Sequence, residues 1–205
     1  MLETIWVTIV KQIKEVGFLE WLALVLGVLE VLLARANKIA LYPVGIAWAG
    51  ISMYLLWSAG LYGESMLNFY YVVMSIYGWW FWYRKKGQPA LPIAVTRKSE
   101  WLTVALIVGA GYGILYWLLS SFTPSTVPHL DAFVTATAWA GMWLLARRKL
   151  ENWILLNISN AVAIPLLYHK GLIIYSLLTL FLFTVAVQAY FEWRKKMKDQ
   201  AAAVG

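Results

Sequence analysis

Long apolar runs broken by short polar turns set the pattern of this chain. Seven of them lie near residues 18–34, 42–60, 65–83, 101–119, 131–146, 153–168 and 172–190. Each approaches the roughly 20 residues that an α-helix needs to cross about 30 Å of hydrocarbon. The runs are continuous and do not alternate in strand-length stretches, which predicts helices and argues against a transmembrane β-barrel. Gly60, Leu61 and Gly63 mark a tight hairpin between the second and third runs, and Lys170-Gly171 marks another between the sixth and seventh. Residues 1–17 differ. Ile5, Ile9 and Ile13 recur at helical spacing with Lys11, Lys14 and Glu15 at other positions, the pattern of an amphipathic helix lying on a membrane surface. The basic residues follow the apolar stretch and no small-residue cleavage site is present, so this is not a signal peptide. The longest polar interruption is 84–100. The tail after Arg194 is charged and then Ala-rich, which predicts fraying.

Composition sharpens the picture. Of 205 residues, 62% are hydrophobic, 13% charged and none is Cys, against about 45–50% and 25% in a soluble domain. A soluble enzyme, a disulfide scaffold and a disordered chain are excluded. The charge of +7 points to nucleic acid only if the cations form a groove, and they do not. The side of the N-terminus holds Lys11, Lys14 and Lys170. The opposite side holds Arg35 and Lys38, then Arg84, Lys85, Lys86, Arg97 and Lys98, then Arg147, Arg148 and Lys149, then Arg194, Lys195, Lys196 and Lys198. The positive-inside rule places that second side in the cytoplasm, with the N-terminus outside, the C-terminus inside and an odd number of spans. The charge therefore records topology, and nucleic acid is not an expected partner.

The chain also repeats itself. Leu32-Leu33-Ala34-Arg35 recurs as Leu144-Leu145-Ala146-Arg147, Gly60-Leu61 as Gly171-Leu172, and Trp82 with Arg84-Lys85-Lys86 as Trp193-Arg194-Lys195-Lys196. The three matches fall in sequence order at nearly one offset. They relate spans 1–3 to spans 5–7 and leave span 4 as a connector that restores the direction of the second copy. The expected fold is all-α and integral to the membrane: seven helices in a 3+1+3 parallel-repeat arrangement, preceded by the surface helix. The expected segments are 1–17, 18–86, 87–130, 131–195 and 196–205. Parallel repeats of this kind hold substrate between their halves near the midplane.

Catalytic chemistry has little support. His129 and His169 sit at outer loops without partners at metal-ligand spacing, and no phosphate loop or nucleophile motif occurs, so no metal or cofactor is expected. Polar residues within spans carry more information, because each is costly in hydrocarbon unless it faces protein or a wet cavity. In span 3, Asn68, Tyr71, Ser75 and Gly78 share one helical face, suited either to a polar ligand or to helix–helix contact. Trp80, Trp82 and Tyr83, beside the cytoplasmic charges, read as an interfacial belt. In span 6, Trp153, Asn157 and Asn160 share a face; the amides offer uncharged donors and acceptors, and the indole stacks on a flat or cationic ring. Thr135, Trp139 and Trp143 form a stripe in span 5, near Asp131 and Thr137. Trp48 and Tyr54 in span 2 face a cavity or lipid. Glu20 and Glu30 serve as coupling or substrate carboxylates, or else snorkel to the interfaces. Pro43 and Pro165 kink or loosen their helices.

Three stretches then identify a relationship: Leu41-Tyr42-Pro43-Val44-Gly45-Ile46, Gly60-Leu61-Tyr62-Gly63-Glu64, and Asn68 through Trp79. Together with Trp143 to Trp153 and the Tyr168-His169-Lys170-Gly171 hairpin, they resemble the PnuC family of vitamin transporters over residues 20–195. The resemblance implies seven helices in a 3+1+3 arrangement related to the SWEET sugar transporters, set in a bacterial inner membrane. It further implies uptake of nicotinamide riboside by facilitated diffusion, followed by trapping by a cytoplasmic kinase. By family likeness the site uses Asn68 and Tyr71 of span 3 and Trp153, Asn157 and Asn160 of span 6; Trp48 and Trp139 complete the expected lining. Leu156 stands where many members carry a second Trp, and Asn160 where many carry Asp. Those departures keep thiamine as an alternative cargo, with riboflavin behind it. The aromatic outer faces suit a homotrimer as well as they suit lipid.

Overall fold

The computed structural model describes residues 17–58, 62–83 and 92–202, so the amphipathic segment before Gly17 lies outside the described residues. Seven helices follow in order: α1 (Phe18–Arg35), α2 (Leu41–Ser58), α3 (Tyr62–Tyr83), α4 (Lys98–Phe122), α5 (Pro128–Ala146), α6 (Asn152–His169) and α7 (Ile173–Ala202). All seven expected spans are helices, with ends shifted by up to three residues except at α7. That helix runs on to Ala202, where the tail was expected to fray from Arg194. Trp193 packs into the core, Met197 lies against it, and Gln200 accepts the backbone N–H of Ile93 at 3.1 Å. Those contacts hold the helix past the membrane edge. By length and hydropathy alone, α2, α4 and α7 are long and apolar enough to span a bilayer.

Consecutive helices pack along their lengths, apart from the slight contact of α3 with α4. In addition α3 meets α5 and α1 meets α7, so α1, α2, α3, α5, α6 and α7 close into a ring. The connector α4 stands outside the ring and packs on α5. Small residues permit that contact: Ala132, Ala136 and Ala140 form a stripe on α5 that is wholly buried against Val104, Leu115 and Leu119 of α4. Pro43 sits in the first turn of α2, where its missing N–H breaks no bond and it does not kink the helix; Pro165 is inside α6.

Side-chain contacts recur 111 residues apart. Asn37 and Arg148 both take left-handed backbone, at φ 60° and 54°, in the turns after α1 and α5. Lys38 N–H donates to Leu33 C=O as Lys149 N–H donates to Leu144 C=O. The rings of Tyr42 and Trp82 meet edge-to-face at 5.2 Å, and those of Trp153 and Trp193 at 5.5 Å. Ser65 donates to Met53 C=O, and Ser176 to Ile164 C=O, both at 2.9 Å. Trp82 Nε1 caps Ala146 C=O at 2.9 Å, while Trp193 Nε1 caps Ala34 and Arg35 C=O at 3.2 and 3.1 Å. Each indole thus crosses a seam of the ring to donate to carbonyls at the end of a helix, among them those of Ala146 and Arg35, while Ala34 C=O also accepts the Asn37 N–H at 2.9 Å.

Candidate functional site

All six ring helices contribute to one central cavity of about 220 Å³. Its wall is mainly aliphatic, with Leu24, Val31, Leu145, Leu178 and Leu182 among its residues, and three aromatic side chains join them: Trp48 of α2, Tyr71 of α3 and Trp153 of α6. Two polar groups complete it, Asn160 of α6 and Glu30 of α1. Trp48 and Tyr71 lie 5.6 Å apart between centroids, tilted at 58°. Trp48 reaches this position because α1 has Gly27 opposite, where a Cβ would lie 3.2 Å from its Nε1. Trp153 is fixed edge-on by Trp193, and its Nε1–H, buried, donates to no described group. A buried indole donor without a partner is unusual in a packed interior and available to a ligand.

The two ends of the cavity differ. Toward the start of α1 a larger chamber of about 490 Å³ shares Ala23, Leu24, Trp48 and Leu178 with it and adds Glu20, Ser52, Asn68 and Tyr175. Toward the basic end the ring is packed shut by Leu41, Tyr42, Trp82, Leu145, Trp153 and Trp193, with Ile93 and Leu150 over them. Residues 92–97 strap that end. Ala94 pairs with Lys149 in an isolated parallel bridge, and Thr96 donates from N–H and Oγ1 to Glu151 at 2.9 and 2.6 Å. Arg148 is buried with its guanidinium 4.4 Å over the Trp82 ring. Burial lowers the Arg148 pKa, against the opposing pull of Tyr42. Lys149 bonds Glu100 at 2.8 Å. Burial works to raise the Glu100 carboxyl, yet Lys149, the Arg97 backbone N–H and Arg147 hold it below the ordinary carboxylate range.

The expected site residues separate. Trp48, Tyr71, Trp153 and Asn160 line the cavity, and Asn68 lines the outer chamber. Asn157 does not reach the cavity; with Trp153 it lines a groove between α6 and α7 bounded by Phe183, Val187 and Phe191. Three residues separate it from Asn160, which sets the two side chains about 60° apart around the helix. Trp139 also lies outside the cavity, stacked at 4.4 Å on Tyr70, whose hydroxyl donates to the Trp139 carbonyl. Trp143 packs toward α4 beneath the Arg147 guanidinium. Trp82 is a buried helix cap and not part of a belt, whereas Trp80 and Tyr83 are exposed. Tyr54 is exposed too. Glu30 does not snorkel: it is 7% exposed, within the cavity wall. Asp131 pairs with Lys170 at 2.6 Å, and His129 stacks on Tyr116 and bonds Tyr112. Gly27 and Gly45 were not singled out from the sequence as site residues. A glycine within an apolar span is itself the signal, since it marks a close approach of helices.

Several apolar helices around an internal cavity, with large apolar side chains such as Phe69, Ile76, Leu106 and Phe191 exposed on the outside, define a multi-span membrane protein with a small-ligand cavity. Comparison with known proteins narrows this class. Residues 17–195 match the nicotinamide mononucleotide transporter family. The chain is 20% identical over 215 residues to the nicotinamide riboside transporter PnuC of Escherichia coli K12, covering 92% of this chain and 90% of that protein. It is 28% identical over 218 residues to PnuC of Neisseria mucosa, covering 96% and 82%. The crystal structure of the vitamin B3 transporter PnuC superposes with a TM-score of 0.70 at 24% identity, covering 97% of this chain and 90% of that one. The chain belongs to the nicotinamide mononucleotide transporter family, that of PnuC. It is a bacterial-type membrane transporter, not an enzyme.

Proposed function

We propose that this chain takes up nicotinamide riboside, holding it in the central cavity between two three-helix halves. The halves are α1–α3 and α5–α7, in a 3+1+3 parallel arrangement with α4 as connector; the contacts recurring 111 residues apart and the closed ring support it. Transport is facilitated diffusion by alternating access, with the N-terminus outside, residues 1–17 as a surface helix and the C-terminus in the cytoplasm, where a kinase traps the cargo. A cavity joined to a chamber at one end and packed shut at the basic end fits the outward-facing member of such a cycle. A homotrimer joined through exposed aromatic faces belongs to the same reading. The departures at Leu156 and Asn160 favour thiamine as the second cargo.

The observation that carries the proposal is the cavity itself: three aromatics, an unpartnered indole N–H and an amide, in a volume below the ~300 Å³ lower end of ordinary drug-sized pockets. With the outer chamber that shares Ala23, Leu24, Trp48 and Leu178 beside it, that space suits a flat ring carrying polar substituents. Calorimetric titration of the purified protein with nicotinamide riboside and thiamine tests it. Asn160→Ala is expected to weaken binding about tenfold, the loss of one or two ligand hydrogen bonds. Absence of heat with both compounds would overturn the reading.

A further inference from the structure

One wall group is out of keeping with the rest of the cavity. Glu30 lies eleven residues after Leu19 in an apolar helix, is 7% exposed and reaches the cavity. Its carboxylate is seated by design of the neighbouring helix. A Cβ on Gly45 of α2 would stand 2.5 Å from Glu30 Oε1, 2.8 Å from Cδ and 3.2 Å from Ser75 Oγ, so a side chain at 45 would displace the acid from this position. The ion pairs among the described residues all lie elsewhere, at Arg35, Arg147, Lys149 and Lys170. Away from water and with no cation beside it the charged form of a carboxyl is costly, and a cation entering the cavity offsets that cost.

The same cavity is lined by the aromatic side chains of Trp48, Tyr71 and Trp153. Aromatic rings attract a cation over their faces, most strongly Trp and more so when desolvated. An aromatic wall gives a flat ring its stacking surface, and one anion gives that ring its required charge. We infer that Glu30 is the counter-charge of the cargo, and that the cavity selects a permanently cationic heteroaromatic ring over a neutral ring of the same shape. The inference rests on the proposed function, since it assigns a charge rule to that same site. It fits nicotinamide riboside and thiamine, both cationic at the ring, and disfavours the neutral riboflavin ring.

The test uses a matched pair of probes: nicotinamide riboside and its reduced dihydro form, which has the same sugar and amide on an uncharged ring. Both are titrated against the purified wild-type protein, Glu30→Gln and Gly45→Ala. The wild type is expected to bind the cationic form at least about tenfold more tightly. In Glu30→Gln that ratio falls to near one, through loss of affinity for the cation while affinity for the neutral form is kept. Gly45→Ala keeps the acid but displaces it, and lowers the ratio without a change of charge. A wild-type ratio of one, or an equal ratio in wild type and either folded variant, overturns the inference and leaves the transport reading standing. Binding of neither probe nor of thiamine overturns both. Should Glu30→Gln fail to fold, the wild-type ratio and Gly45→Ala decide the matter.

Discussion

In the proposed arrangement the two three-helix halves, α1–α3 and α5–α7, share a frame and differ in what they place inside it. In the first, Glu30 on α1 packs onto Gly45 of α2, its Oε1 2.5 Å from where a Cβ would lie. In the second, 111 residues on, the sizes are exchanged: Gly141 is on α5, and Leu156 of α6 packs onto it, with Cδ2 and Cγ 2.9 Å from where a Cβ would lie. The same backbone approach is therefore sealed by an acid in one half and by an aliphatic in the other. On the proposed reading, the repeated geometry belongs to packing while the unrepeated chemistry belongs to the ligand. Tyr71 and Trp48 are answered in the second half by Leu182 and Ser159, and Asn160 in the first by Ala49.

The largest effect is expected where the halves agree. Trp193 is wholly buried and caps Ala34 and Arg35 C=O; Trp82 is nearly so and caps Ala146 C=O. Trp193→Ala opens a core void and removes the indole donor from the Arg35 carbonyl, for a loss of about 3–5 kcal/mol, and Trp82→Ala loses a similar amount. Trp→Phe at either position keeps most of the volume and removes the hydrogen bond, costing about 1–2 kcal/mol. Thermal unfolding in detergent checks both. Equal midpoints for wild type and the two Ala variants would show that the caps do not hold the seams.

A medium effect is expected where the halves differ. Gly141→Ala drives its methyl against Leu156, including its backbone nitrogen at 3.4 Å, and overpacking of this kind costs about 1–3 kcal/mol. Adding Leu156→Ala gives the methyl room and should recover part of the loss, a coupling that a double-mutant cycle on thermal midpoints reads directly. Gly45→Ala meets the far end of a flexible Glu side chain instead. It is expected to cost less stability than Gly141→Ala. The reverse order would mean that Glu30 is held more rigidly than Leu156, and the contrast between a packing contact and a ligand contact would fail.

These contrasts bear on what the chain discloses unaided. The helices were legible because lipid demands continuous apolar runs, and the turns because Gly171, Asn37 and Arg148 leave the helical region where the runs break. The repeat was legible at Trp82 and Trp193, since only a shared geometric task keeps an indole before a basic cluster twice. Their roles were not. A Trp beside cytoplasmic charges reads as an interfacial anchor, and the partner that makes Trp82 a buried cap, the Ala146 carbonyl, lies 64 residues away. Asn157 and Asn160 differ by less than one turn, and spacing alone does not say which of them meets the cavity. Glu30 was visible as a charge within a span but ambiguous, five residues from the helix end. Its seat on Gly45 is a tertiary fact. The continuation of α7 was readable in principle, as Tyr190, Trp193 and Met197 keep the helical period of a buried face.

The smallest effect separates the basic ends of the two halves by pH. Arg35, at the end of α1, bonds Glu192 of α7 through Nε at 2.9 Å and Nη2 at 2.5 Å. The hydrogen bond from Arg35 holds the Glu192 carboxyl below its ordinary range. At the matching end of α5, Lys149 and Arg147 engage Glu100 of the connector α4, whose carboxyl is also depressed. A depressed folded-state carboxyl stabilises above the unfolded glutamate pKa, and that contribution is lost as pH falls through the folded value. Thermal midpoints of Glu100→Gln and Glu192→Gln should therefore fall below wild type near neutral pH and converge with it in acid, below about pH 4. Glu100 has 13% of its side chain exposed and Glu192 41%, so solvent and salt screen the second pair more and Glu100→Gln should show the larger gap. A gap that persists in acid would assign the loss to packing. A larger gap at Glu192 would place the stronger tie at the α1–α7 seam between the halves, instead of at the contact of α4 with the second half.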